Sequence, residues 1–250
     1  MLSPAIGPTV DPDEVARFAA LAQKWWDTKG EFAPLHALNP VRLGFIRDRL
    51  CARHGRDPEA QRPLEGLRLV DVGCGGGLLA EPLARMGAEM VAIDAAAENI
   101  GTARAHAEQG GVAVDYRCVT AETLAAEGER FDGVVAMEII EHVADVDVFM
   151  AALADLARPG APVFMATLNR TLKARALAVF LAERVLRWLP PGTHDWHKFL
   201  KPHELARAMR HAGLTPRALA GVVYNPLGNS WRVSRDTDIN YMMMAEKPAG

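Results

Sequence analysis

Apolar positions in the first part of the chain recur at helical spacing. Val15, Phe18, Ala19, Ala22, Trp25 and Trp26 follow an acidic start and predict a helix over 12–28. A second helix is predicted after Pro40, through Leu43, Ile46 and Leu50, and the polar stretch RHGRDPEAQRP (53–63) predicts a connection. The period then changes. Short apolar runs LRLVDV (67–72), EMVAIDA (89–95), VDYRCVTA (114–121), FDGVVAMEI (131–139) and APVFMATLN (161–169) read as strands. Between them LLAEPLARMG (78–87), ENIGTARAHAEQGG (98–111) and DVDVFMAALADLARPG (145–160) read as helices. Such alternation predicts an α/β fold, a parallel sheet covered by helices on both faces.

After Asn169 the alternation breaks. A basic-apolar segment, LKARALAVFLAERVLRWL (172–189), leads into the loop LPPGTHDWHKF (189–199); KPHELARAMRHAGL (201–214) returns as a helix, and the rest predicts a pair of closing strands. The organisation expected is one domain. It has an N-terminal helical cap (1–62), a core (63–169), an inserted helical segment (170–200) and a closing helix and strands (201–250).

Composition narrows the picture. Half of the 250 residues are hydrophobic, ample for one large core, and the net charge of −3 argues against a nucleic-acid partner. Three scattered cysteines, Cys51, Cys74 and Cys118, suit a reduced compartment better than a disulfide framework. The N-terminus lacks the basic-then-apolar pattern of a secretory signal. The segment 172–189 is interrupted by Lys173, Arg175, Glu183, Arg184 and Arg187, which speaks against a span of about 20 uncharged apolar residues. Aromatic and aliphatic residues break its charged face, as in helices lying on an anionic membrane surface, with a lid over the site as the competing reading. His194, Asp195 and His197 beyond it are candidates for the substrate side.

The candidate chemistry begins at VDVGCGGG (70–77), where a strand passes into a helix through Gly73, Gly75, Gly76 and Gly77. Glycines allow a sharp turn and close approach of a ligand, and a helix start offers free N–H groups. Leu78 stands where a nicotinamide-binding G-x-G-x-x-G loop has its last glycine. The denser loop suits the small carboxylate and ammonium of S-adenosylmethionine. Asp94, about 20 residues on at the end of the next strand, is placed to accept from ribose hydroxyls. Ala121 and Glu122 of VTAET are candidates beside an adenine, and Met137 could pack against the cofactor.

In MEIIEHV (137–143), Glu138, Glu141 and His142 share one face if a helix begins there, at the rim of the sheet where ligands bind in such folds. Two carboxylates and an imidazole could hold a divalent ion, or His142 could act as a base oriented by Glu141, or the acids could serve a helix start. The spacing leaves all three open.

In combination, VDVGCGGG, VAIDA, FDGVVAMEIIEHV and LARPGAPVFMATLN resemble the class I S-adenosylmethionine-dependent methyltransferases. That resemblance implies a Rossmann-like, seven-stranded, mostly parallel sheet with the last strand antiparallel. WWDTKGEFAPLHALNPVRLGFI (25–46), TLNRT, PPGTHDWHKFLKP, YNP and NYM resemble one branch, the ubiquinone-biosynthesis O-methyltransferases, over nearly the whole chain. The branch implies methylation of polyprenylated catechols and phenols, with cofactor contacts at Arg42, Gly73, Asp94 and Met137. It also implies magnesium, for which Glu138, Glu141 and His142 are the ligand set. Its expected partners are the prenylated substrate, a membrane surface met from the cytoplasmic side through about 170–190, and other ubiquinone-synthesis enzymes. A methyltransferase for another small phenol or amine, an oxidoreductase on a nicotinamide-binding fold and a non-catalytic membrane scaffold are the competing classes.

Overall fold

The computed structural model describes residues 7–175, 196–225 and 230–249. Helices α1 (Pro12–Ala20) and α2 (Ala33–His54) precede the alternating core. That core runs β1 (Arg68–Val72), α3 (Ala80–Arg85), β2 (Glu89–Ile93), α4 (Ala97–Gln109), β3 (Asp115–Arg117), α5 (Ala121–Ala126), β4 (Gly133–Met137), α6 (Val146–Leu156) and β5 (Pro162–Leu168). Helix α7 (Pro202–His211) and strands β6 (Thr215–Asn225), β7 (Ser230–Ser234) and β8 (Asn240–Glu246) follow.

The strands form one eight-stranded sheet in the order β3-β2-β1-β4-β5-β8-β6-β7. The first five in that order are mutually parallel, whereas β8 runs antiparallel to β5 and to β6. Seven strands were expected. The additional one, β7, forms a hairpin with β6 and is half exposed, so its sequence lacks the apolar run that would have announced it.

Strand parity sorts the core into two layers. Val70, Val72, Ile93, Val134 and Met165 pack on one face with α5, α6 and α7; Leu69, Met90, Val135, Met137 and Phe164 pack on the other with α2, α3 and α4. Both faces are covered, which is why these strands read as continuous apolar runs.

Two helical expectations change. Helix α1 stops at Ala20 and passes into a 3-10 turn at Ala22–Lys24. Asp11 caps its start by accepting from the backbone N–H groups of Asp13 and Glu14, with Pro12 in the first turn. Helix α2 begins well before Pro40 and contains it. Burial of Leu38, Phe45, Ile46 and Leu50 offsets the backbone hydrogen bond that proline removes.

The N-terminal cap is fastened to the glycine loop by two tryptophans. Trp25 donates to Asn99 Oδ1 at 2.9 Å and stacks on Phe32 with ring centroids 3.9 Å apart. Trp26 donates to the Gly76 carbonyl at 2.9 Å and stacks on His106 at 3.4 Å. A Cβ on Gly75, whose φ is +53°, would lie 2.4 Å from Trp25, and one on Gly76 would lie 2.3 Å from it. Glycine is therefore required twice over at Gly75, by backbone conformation and by the indole against it. Trp25→Ala is expected to cost about 3 kcal/mol. It should raise hydrogen exchange first over α1 and the glycine loop, and a uniform rise across β4 and β5 would refute that local role.

Candidate active site

Parallel pairing places the C-terminal ends of β1, β2, β3 and β4 along one edge. The loop after β1 is held there by hydrogen bonds from the Gly73 and Cys74 N–H groups to the Ile93 carbonyl, at 2.9 and 3.0 Å. At the end of β2, Asp94 Oδ2 accepts from Gly75 N–H at 3.0 Å, while Oδ1 accepts from Ala96 N–H at 2.8 Å and Asn99 Nδ2 at 3.2 Å. Desolvation raises the Asp94 pKa against the pull of these donors. Ala121 is buried in the first turn of α5, and both Glu122 carboxylate oxygens are buried without a hydrogen-bond partner.

Sequence reasoning missed Asp71 here. It is a carboxyl inside the apolar strand VDV, 2 % exposed, with Oδ2 lacking a hydrogen-bond partner. Burial first, and the Asp94 charge second, push its pKa up to about 7, against the pull of the Arg42 charge. The signal was present: an acid between Val70 and Val72 in a strand buried on both faces requires a polar counterpart. Arg42 crosses from α2 to stand 2.8 Å from Glu138 Oε1, with its Nε unpaired.

At MEIIEHV the strand ends at Met137 as expected, but no α-helix follows. Glu138 takes a left-handed conformation, φ +52°, unusual for a residue with a Cβ, and Ile140–His142 form a single 3-10 turn. The three side chains take separate partners while their charges still act on one another. Glu138 meets Arg42, Glu141 Oε2 accepts from the Thr167 hydroxyl at 2.9 Å, and His142 Nδ1 lies 3.0 Å from Glu14 Oε2. Phe18 lies edge-on to the imidazole, with ring centroids 5.0 Å apart. Among the described residues no three His, Cys, Asp or Glu side chains are grouped to hold a metal ion. In this arrangement, then, Glu138, Glu141 and His142 do not fit a shared divalent ion. The i, i+3, i+4 face needed a helix, and the left-handed Glu138 prevents one.

Glu14 and Thr167 were also missed, because an acid in the first turn of a helix and a threonine in a strand each have an ordinary local explanation. Their partners are 128 and 26 residues away in sequence. Lys198 Nζ, 3.2 Å from Asp11 and 3.8 Å from Glu14, joins the 196–200 loop to the same cluster. The His142 hydrogen bond chiefly, with the charges of His142, Arg17 and Lys198, holds Glu14 below the usual carboxylate range against the effect of burial. Burial alone would lower His142, but the Glu14 hydrogen bond and the carboxylates of Glu141, Glu14 and Glu138 outweigh it, and its pKa rises. Glu141, 3 % exposed, is pushed up to about 7 by burial and by Glu138, against the pull of His142, its backbone N–H and Thr167.

Of the other sequence candidates, His197 lies in a 3-10 turn at Trp196–Lys198. His194 and Asp195, and most of the 172–189 segment, fall outside the described residues. Among the described residues no helix is long and apolar enough to cross a membrane.

Comparison with known proteins agrees with this geometry. A methyltransferase-domain family model matches residues 44–219. The ubiquinone biosynthesis O-methyltransferase of Rhizobium etli is 56 % identical over 241 residues, covering 96 % of this chain and 97 % of that protein. Its namesake from Sinorhizobium medicae is 57 % identical over 240 residues, with the same shares covered. The chain belongs to the ubiquinone-biosynthesis O-methyltransferases. It is an S-adenosylmethionine-dependent O-methyltransferase.

Solved structures place the fold of this methyltransferase. A Thermotoga maritima protein described as a possible histamine N-methyltransferase matches with TM-score 0.59 and 17 % identity, over 94 % of this chain and 99 % of that one. The [4+2]-cyclase SpnF matches over 100 % of both chains with the same score and identity. One of these two carries a methyltransferase description and the other a cyclase title, so the fold alone does not choose the chemistry.

The cofactor edge fits S-adenosylmethionine. A loop that tolerates no Cβ at Gly75, the unpaired Asp71 Oδ2 and Arg42 Nε, and Asp94 at the end of β2 supply space, charge and acceptors along one line.

Because the Glu141 pKa is higher in the fold than the ~4.3 of a free glutamate, the folded state holds that proton more tightly. Its stabilisation is complete below the unfolded value and is lost as pH rises through about 7. Thermal melts from pH 4 to 9 should therefore show a loss of stability toward neutrality, to which Asp71 also contributes, and Glu141→Gln should make that loss smaller. An unchanged pH profile in that variant would refute the assignment.

Proposed function

We propose that this enzyme methylates hydroxyl groups of prenylated catechol and phenol intermediates of ubiquinone synthesis. The observation that carries the reading is identity above one half with enzymes of that name over nearly the whole chain. The alternative, a methyltransferase for another small phenol or amine, shares the cofactor edge and the buried acid but gives no reason for identity above one half with the ubiquinone-biosynthesis enzymes.

Bound S-adenosylmethionine supplies a methyl group on a sulfonium sulfur, and the protein's residues do the rest. The glycine loop, Asp94 and Met137 hold and orient the donor, so that transfer depends chiefly on alignment. Arg42, a planar fork held by Glu138, is available to a carboxylate at the methionyl end. Glu141 accepts the phenolic proton on Oε1, the oxygen not used by Thr167. A phenol near pKa 10 and an acceptor near 7 differ by roughly three units, about 4 kcal/mol, small enough for proton removal to accompany methyl transfer. His142, fixed by Glu14, keeps Glu141 from being raised further. A divalent ion of the kind the family resemblance implies would add charge stabilisation for the phenolate. The described arrangement does not gather Glu138, Glu141 and His142 around one, and no step is assigned to it.

Approach to an anionic membrane surface belongs to the same proposal, since a prenylated acceptor resides in a bilayer. The described start of the 170–190 stretch offers one exposed apolar side chain for it, Leu172, 75 % exposed, while the flanking Arg170 and Lys173 are paired with Glu204 and with Asp236 and Asp238. Sedimentation with vesicles should show binding to anionic membranes that falls with salt and is absent from neutral ones.

The decisive assay is methyl transfer to a short-prenyl catechol, with and without magnesium. Glu141→Gln should lower kcat by about 10²- to 10³-fold while S-adenosylhomocysteine affinity stays unchanged. Glu138→Ala separates an ion-binding role from a structural one, since only the former abolishes a response to magnesium. Transfer to soluble amines or unprenylated phenols, with none to prenylated ones, would replace this reading by the alternative.

A further inference from the structure

A cavity of about 450 Å³ opens between the 140–147 segment, Arg170, the 197–200 loop and α7. That volume lies within the range of small-molecule sites. Its described lining is graded. Glu141, Ile140 and Phe199 are buried, Val143, Val146 and Leu200 are half-buried, and Arg207 and His211 are exposed. The closed end therefore carries one carboxylate, the middle is aliphatic, and the outer lining is polar with charges of both signs, Lys198, Arg207 and Asp147 among them.

The closed end has a definite requirement. Glu141 Oε1 is buried and has no hydrogen-bond partner, because Thr167 serves the other oxygen. An unpaired buried acceptor costs about 1–3 kcal/mol, which a ligand donor would recover. Glu141 is the buried charged side chain of the lining, and the residues next to it, Ile140, Val143, Val146, Phe199 and Leu200, are apolar, so a sugar or a nucleotide would find few partners at that depth. A hydroxyl head joined to a hydrocarbon body satisfies both conditions. Water alone would serve the acceptor but gain nothing from the aliphatic middle.

We infer that this cavity is the acceptor's subsite: the phenolic hydroxyl donates to Glu141 and the first prenyl units of the tail run outward along Val143, Val146 and Leu200 between α6 and α7. The inference rests on the proposed function, and it assigns to these side chains the discrimination between prenylated and unprenylated acceptors. Each buried CH₂ is worth about 0.8 kcal/mol, so even one displaced prenyl unit is measurable. The tail then leaves at a mouth bearing Arg207 and His211, beside Lys198.

The test uses two acceptors with one catechol head, one carrying a short prenyl chain and one carrying none. Binding is measured by calorimetry in the presence of S-adenosylhomocysteine, and turnover is followed in parallel. Val146→Trp, which puts an indole into the aliphatic wall, should weaken the prenylated acceptor about tenfold or more and leave the unprenylated one unchanged. Val143→Gln, which adds polarity with little bulk, should shift preference the same way and carries the comparison if the tryptophan variant does not fold. Equal weakening of both acceptors, or wild-type affinity for the prenylated one in a folded variant, would overturn the subsite. Wild-type enzyme that binds the prenylated catechol tightly and transfers no methyl group would refute the proposed reaction while leaving the subsite standing.

Discussion

At the end of β2 the Asp94 carboxylate accepts from the backbone of the glycine loop, from the start of α4 and from Asn99. Through Asn99 it reaches Trp25, and through Trp25 the whole N-terminal cap. Loop, second strand and cap are thus linked through one acid, alongside the Gly73 and Cys74 bonds to Ile93 and the Trp26 bond to Gly76. The site is built on that constraint: the loop cannot move from β2 without breaking the Gly75 hydrogen bond, and the cap cannot lift without uncovering an indole packed against two glycines.

The acceptor end follows a different logic. Its polar groups are contributed one at a time by distant segments, Glu14 from α1, Glu141 and His142 from the turn after β4, and Thr167 from β5. Glu14 is engaged by Arg17, His142 and Lys198, whereas Glu141 is held by Thr167 on one oxygen and has no partner on the other. A half-satisfied carboxylate is costly in a core and useful in a site, because a ligand completes it. The strained backbone at Glu138 fits the same economy: it turns one carboxylate toward Arg42 and leaves Glu141 facing the cavity.

The glycine loop and the strand ends beside it were legible in sequence because they obey local rules. A strand-to-helix glycine loop, an acid ending the next strand and a residue ending β4 are placed by parallel pairing wherever that alternation occurs, so Gly73, Gly75, Asp94 and Met137 fell where expected. The 138–142 grouping did not. Its reading depended on a helix beginning at Glu138, and one left-handed residue replaced the shared face with three separate partnerships. Nothing local distinguishes those alternatives.

Hydrophobic periodicity by itself determined the alternating α/β order and the two-faced burial of β1, β2, β4 and β5, since each follows from residues adjacent in sequence, and the family came from the resemblance of short motifs. Tertiary structure alone decided that Pro40 lies inside a helix, that β7 extends the sheet and that Glu14 belongs to the site. It also decided that Glu141 closes a cavity walled by α6 and α7. The physical reason is the range of the forces: backbone periodicity acts over a few residues, whereas a buried carboxylate takes its pKa and its partners from whatever the fold brings against it.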